Sequence, residues 1–222
     1  MIESSKRLTA VFNMTPSVQC VGDIGCDHGY ISHALLETNR AEKVIATDIS
    51  APSLNKAATL LTGAFEGRFE TRLGDGFAPI RAGEIQGAII MGMGGQLIAD
   101  ILARGKEVVD SLDWCIVQPM QGAEDLFDFL TARGFQLLDV DLVEERKKFY
   151  PLMRVAADGC DCFSWENFIH LGAFLSMAEK EKARLEGVAR AVEASGREVL
   201  IEKAKRDVEK WEAYIELYRN HK

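Results

Sequence analysis

The sequence predicts an α/β chain: a mainly parallel sheet covered by helices, followed by an all-helical C-terminal part. Three observations carry this. Through the first two thirds, short apolar runs of strand length alternate with segments of helical periodicity, the signature of a parallel sheet covered on both faces. A glycine-rich turn, Gly25 to Gly29, joins the first run to the first helical segment. From Ser164 onward Glu, Lys, Arg and Ala dominate, proline is absent and no strand-like run occurs.

Taken in order, Val18–Ile24 reads as a strand and Tyr30–Glu37 as the helix that leaves the glycine turn. Lys43–Asp48 is a second strand and Ala51–Leu61 a second helix. Phe69–Leu73 is a short strand and Gly87–Met91 a buried one. Gly95–Arg104 is helical, Trp114–Val117 a strand and Ala123–Arg133 a helix. Phe135–Val143 and Phe149–Ala156 then follow without a helix between them. Joined by the charged turn Glu144-Glu145-Arg146-Lys147, they should pair as an antiparallel hairpin. Beyond them, apolar residues recur at helical spacing: Phe168, Leu171 and Leu175, then Leu185, Val188 and Val192, then Val199, Val208, Trp211, Ile215 and Tyr218. A break at Ala194-Ser195-Gly196 divides this part into at least two helices, expected to pair antiparallel along a coiled-coil-like seam. The expected domains are 1–158 and 159–222, with Gly159 in the hinge.

Composition narrows the function classes. With 47% hydrophobic and 27% charged residues, the 222-residue chain is ordinary for a globular protein. No apolar run approaches bilayer-spanning length, and the first residues lack the layout of a secretory signal, so the expected compartment is the cytoplasm. Five cysteines, an odd number, argue against a disulfide framework. Cys160-Asp161-Cys162 with His170 nearby does not match zinc spacing, so no metal is expected. A net charge of −8 does not announce a nucleic-acid binder. A local basic face is nonetheless compatible with an acidic sum.

The sharpest local signal is Asp23-Ile24-Gly25-Cys26-Asp27-His28-Gly29-Tyr30, which follows a strand and opens a helix. Its Asp-x-Gly-x-x-x-Gly spacing lacks the G-x-G-x-x-G geometry that cradles a dinucleotide pyrophosphate. It resembles instead the first motif of S-adenosylmethionine enzymes, with Gly25 for a tight bend and Gly29 for close approach to a ligand. Asp48, 25 residues beyond Asp23 and followed by Ile49, ends the second strand. There a carboxylate can accept from both ribose hydroxyls. Asp75, in Gly74-Asp75-Gly76, follows the third strand and can receive an adenine amino group. Ionised carboxylates suit both duties because they accept from two donors at once. After the fourth strand, Met91-Gly92-Met93-Gly94-Gly95 brings backbone N–H groups near the methyl donor or target base.

The closing hairpin resembles the class I methyltransferase fold, a Rossmann-like domain, which implies a seven-stranded sheet in the order 3-2-1-4-5-7-6. The chain more specifically resembles the bacterial tRNA (adenine-22-N1)-methyltransferase family. The resemblance rests on Asp23 to Tyr30, Met91 to Gly95, Gln118-Pro119, Phe149-Tyr150 and Ser5-Lys6-Arg7-Leu8, in that family's order, together with the C-terminal helices. It implies methyl transfer from S-adenosylmethionine to N1 of adenine 22 in tRNA. Asp27 is then the first candidate for facing the cationic product, and His28 and Tyr30 for positioning the base. Asp23, Gly25, Asp27, Gly29, Asp48, Ile49, Gly74 to Gly76 and Met91 to Gly94 would hold the cofactor. Arg7, Gly95, Gln118, Pro119 and Tyr150 would meet the substrate, with Lys6 and Arg146-Lys147-Lys148 as candidate phosphate contacts. The partner implied is tRNA, without membrane or metal, to a monomer or weak homodimer.

The residues by themselves leave other readings open. Asp27 also reads as an N-cap. A small-molecule methyltransferase shares the fold. A nicotinamide oxidoreductase shares the sheet without this turn, and a non-enzymatic RNA-binding protein would keep a vestigial pocket. The long helices hold tRNA in one reading and dimerise the protein in another.

Overall fold

The computed structural model describes residues 2–193 and 198–221, which form two compact units, 1–163 and 164–222. In the first unit, β1 (Val18–Ile24), α2 (Tyr30–Glu37), β2 (Ala41–Asp48), α3 (Ala51–Leu61), β3 (Phe69–Leu73) and β4 (Gly87–Gly94) follow a first helix, α1 (Lys6–Met14). Then come α4 (Gly95–Arg104), the single turn α5 (Lys106–Val109), β5 (Trp114–Gln121), α6 (Ala123–Arg133), β6 (Gln136–Glu145) and β7 (Lys148–Ala156). The seven strands stand in the order β3-β2-β1-β4-β5-β7-β6. β1 to β5 pair parallel, while β7 runs antiparallel to both β5 and β6. This is the order that the resemblance implies.

Burial explains why the sequence reads this way. Val44 to Ala46, Ala88 to Ile90 and Ile116 to Val117 are at most 1% exposed. Successive strand residues point to opposite faces, so both faces of the central sheet are covered and its strands read as unbroken apolar runs. Each such side chain contributes roughly 1.5–3 kcal/mol by leaving water. On one face Val21, Val44, Ile89 and Ile116 pack with Val11 and Met14 of α1 and Leu35 of α2.

Several details differ from expectation. Helix α1 is not among the expected elements, although Ser5 caps it through Leu8 N and Val11 and Met14 sit at helical spacing. β4 and β5 continue past Met91 and Val117, because Met93 still pairs with Pro119 and Gly94 with Gln121 across an irregular register. The last hairpin turns on only two residues, Arg146 and Lys147, both with positive φ (51° and 62°). Residues 159–163, expected with the helices, belong to the first unit. Gly159 N donates to Gly134 O, Asp161 Oδ2 accepts from Leu137 N at 2.7 Å, and Phe163 N donates to Thr131 Oγ1 at 2.9 Å.

The second unit holds a short 3-10 turn (Trp165–Phe168), α7 (Phe174–Glu193) and α8 (Glu198–Asn220). Lys182 pairs with Glu212, Lys205 with Glu193 and Arg219 with Glu179, so low numbers on one helix meet high numbers on the other. The pair is antiparallel. Its core is aromatic, with Phe168, Phe174, Trp211, Tyr214 and Tyr218 all buried. Val188 and Val199, expected in the seam, are 41% and 78% exposed. The expected break at Ala194-Ser195-Gly196 lies outside the described residues.

Candidate functional site

The site is built at the C-terminal ends of β1, β2 and β4. Gly25 N and Cys26 N both donate to Thr47 O, at 2.8 and 3.0 Å, tying the turn after β1 to β2. Asp48 completes the tie: Oδ2 accepts from Asp27 N at 3.1 Å and Oδ1 from Ser50 N at 2.8 Å. Gly25 has φ +74°, and a Cβ there would lie 2.0 Å from the Met93 methyl. Only glycine fits. Gly29, φ +72°, caps α2 in the left-handed region, and its Cβ would lie 2.9 Å from that of Ala57. A close approach of the backbone there is made to helix α3.

The turn opens into a cleft of about 520 Å³ lined by Asp23, Gly25, Asp27, His28, Tyr30, Met91, Gly92 and Arg7, among others. Asp23 is 2% exposed, and burial pushes its carboxyl up to about 6 although the Ser32 hydroxyl donates to it at 2.5 Å. Burial also raises the neighbouring Cys26 thiol, so that sulfur stays protonated and inert at neutral pH. Asp27 has φ +46° and does not cap α2, whose N-cap is Gly29. Its carboxylate meets His28 Nδ1 at 2.6 Å. The His28 and Tyr30 rings are parallel to within 6° with centroids 5.4 Å apart. Asp27, His28 and Tyr30 thus form one cluster at the cleft.

Arg7 stands across the cleft with its charge already paired. Its Nε donates to Glu145 Oε2 at 2.9 Å, and its guanidinium lies 4.8 Å from the centre of the Tyr150 ring. Burial opposes the Glu145 charge, but hydrogen bonds from Arg7 and Ser5 outweigh it and hold that carboxyl below its usual range. Tyr150 is buried beneath this pair rather than open to a substrate. Gln118 is buried too, accepting from Gly92 N at 3.3 Å and Arg7 Nη1 at 3.4 Å, and so braces the cleft from behind. Pro119 is buried beside it.

Other residues lie outside the lining of that cleft. Asp48, Ile49 and Leu73 mark the ends of β2 and β3, where Ile49 and Leu73 expose 74% and 61% of their surface. Asp75 is engaged by both terminal nitrogens of Arg104. Gly74 and Gly76 are packing glycines, since a Cβ would strike Pro79 and Ile101 respectively. Gly95, expected near the base, is buried with its would-be Cβ 1.8 Å from Gly122 O, and takes a packing role. Gly92, at φ +79°, has open space beside it. Lys6, Lys147 and Lys148 are exposed, and Arg146 alone of the turn cations lines the cleft. Sequence reasoning missed Glu145, itself held by the Ser5 hydroxyl, as the anchor of Arg7, and Ser32 and Arg104 as partners of Asp23 and Asp75. No polar pattern in one dimension links residues 140 positions apart. Among the described residues no metal-binding cluster of His, Cys, Asp and Glu occurs, and no helix is long and apolar enough to cross a membrane.

Residues 4–153 match the methyltransferase domain family. The chain is 31% identical over 161 residues to the tRNA (adenine(22)-N(1))-methyltransferase of Bacillus subtilis, covering 72% of this chain and 68% of that protein. The chain belongs to this methyltransferase family. Among solved structures, Streptococcus pneumoniae Sp1610 in complex with S-adenosyl-L-methionine superposes with a TM-score of 0.83 at 25% identity, over 95% of this chain and 99% of that one. TrmK of M. capricolum, in complex with S-adenosyl-homocysteine, shares the fold with a TM-score of 0.85 at 20% identity, over 96% and 98% of the chains. The cleft beside Gly25 lies at the carboxyl ends of the central strands, the place where open α/β sheets bind ligands.

Proposed function

We propose that this enzyme transfers the methyl group of S-adenosylmethionine to N1 of adenine 22 in tRNA. The observation that carries the reading is the Asp27–His28–Tyr30 cluster opening into the same cleft as Asp23 and Gly25.

The residues present fit the cofactor. Three carboxylates stand at or just past the carboxyl ends of consecutive strands, two glycines at positive φ leave the backbone bare, and Ile49 and Leu73 offer exposed apolar surface at adjacent strand ends. Asp23, Gly25, Asp48 and Gly92 would hold it, with Asp75 at the adenine end. When bound, S-adenosylmethionine supplies an electrophilic methyl group on a sulfonium sulfur.

Adenine N1 carries an available lone pair, so no residue need first remove a proton. The chain's task is orientation, which is worth roughly 7–11 kcal/mol when two reactants are well aligned. The His28 ring, held by Asp27 through Nδ1 and backed by the parallel Tyr30 ring, offers a stacking face to the base. The methylated base is cationic, and the exposed Asp27 carboxylate supplies a countercharge as that charge develops. Adenine must leave its pairing to present N1, as in other enzymes that modify bases. We place the protein in the cytoplasm as a monomer or weak homodimer, and its cysteines, all free thiols, fit a reducing compartment.

The test is incubation with unmodified total tRNA and labelled donor, followed by nucleoside analysis. Label in 1-methyladenosine supports the reading. Label confined to another nucleoside, or transfer only to small molecules, overturns it.

A further inference from the structure

Behind the Asp27–His28–Tyr30 cluster lies a second hollow of about 430 Å³, lined by His28, Tyr30, Asn55, Lys56, Thr59 and Leu60. His28 and Tyr30 line both hollows, so their parallel rings form the partition between them. We infer that this hollow is a subsite for the nucleotide flanking the target adenosine, with its base on Tyr30 and Leu60 and its phosphate at Lys56. The inference rests on the tRNA reading above.

Continuity and charge carry it. A base extruded into the cleft drags its own backbone over the rim, and a neighbouring nucleotide that leaves over the His28–Tyr30 partition enters this hollow directly. The wall beyond suits a base. Tyr30 is 41% exposed, Leu60 is half-buried, and Thr59 turns its hydroxyl back to Asn55 O at 2.7 Å. Aromatic and apolar faces bind any base by stacking, worth about 1–3 kcal/mol per base. Lys56 is exposed on α3, and its Nζ stands 3.4 Å from His28 Nε2, at the partition itself. Asp27, on the other side of the His28 ring, is already partnered by His28 Nδ1. The Lys56 ammonium is therefore available to a phosphate at the place that backbone passes.

The test compares Lys56→Gln and Lys56→Arg with the parent, full length, on a tRNA transcript over a range of KCl. Removing one ammonium–phosphate pair should weaken tRNA use about ten-fold at low salt, mainly in KM, and flatten the plot of log(kcat/KM) against log[KCl] by about one unit. Arginine should restore most of both, and S-adenosylhomocysteine affinity should stay at the parent value. A methylphosphonate at one of the two linkages beside adenosine 22 should abolish the difference between parent and Lys56→Gln. Parental kcat/KM and salt slope in Lys56→Gln would overturn the subsite. So would a loss in kcat at unchanged salt slope, which would make Lys56 only a positioning residue for His28. A parent protein that methylates no tRNA would instead sink the reading beneath it.

Discussion

Asp23 shows how much of the site is electrostatic. Its carboxyl is 2% exposed, and burial lifts it from 3.8 to about 6 against the hydrogen bonds from Ser32. The folded value lies above the unfolded one, so protonation favours the fold. That contribution is full below pH 3.8 and is lost as pH rises through about 6. Asp23→Asn should therefore raise the thermal midpoint of the ligand-free protein at pH about 8, by the equivalent of about 1–3 kcal/mol, with the gap closing toward pH 4. A gap independent of pH in thermal unfolding would contradict the buried-carboxylate account. Asp27 calls for a different substitution. It does not cap α2, and its φ of +46° is one that Asn also tolerates. Asp27→Asn should leave S-adenosylhomocysteine affinity unchanged and slow single-turnover methylation ten- to a hundred-fold, about 1.4–2.7 kcal/mol. A parental rate would leave catalysis to positioning by Tyr30 and the glycine backbone. Asp23, Asp27 and Gly25 were legible because strand, turn and helix fix their places locally. Gly29, Gly74, Gly76 and Gly95 were legible as required glycines, but not for what they approach. What a glycine must let pass is set by distant chain: Ala57, Pro79, Ile101 and Gly122.

At the scale of elements, the strand–helix alternation was readable because both faces of the sheet are buried and the runs are uniformly apolar. Helix α1 was not, since nine residues with a mixed Lys-Arg-Leu-Thr start give a weak periodic signal. Its stability comes from packing against β6, β7 and α2, which is tertiary information. The β6–β7 hairpin was legible as a pairing, but its turn was not. Two-residue turns with positive φ at both positions favour Asn-Gly, whereas this chain places Arg146 and Lys147 there. Each is held in a region that L side chains avoid, at a cost of order 1–3 kcal/mol, and Arg146 faces the cleft. Replacing the pair by Asn-Gly should raise the thermal midpoint by about 2–4 °C for each kcal/mol relieved while lowering kcat/KM on tRNA. A midpoint unchanged or lowered would show that the turn is not strained.

Across the whole molecule, acidity is unevenly distributed. Residues 164–222 carry eleven basic and eleven acidic side chains, so the net −8 of the chain belongs entirely to residues 1–163. The overall charge therefore says little about RNA at any one surface, and the helical unit meets a polyanion without net repulsion. That partition was readable from sequence. The geometry that keeps Arg7 on Glu145 and Tyr150, leaving Arg146 and Lys56 as the cations beside the two hollows, was not. The most direct test of methyl transfer to adenine N1 uses two tRNA transcripts differing only at nucleotide 22, adenosine in one and guanosine in the other. With labelled donor, the first should accept one methyl group per molecule, placed at nucleotide 22 by a primer-extension stop, and the second none. Equal labelling of both transcripts would contradict the account.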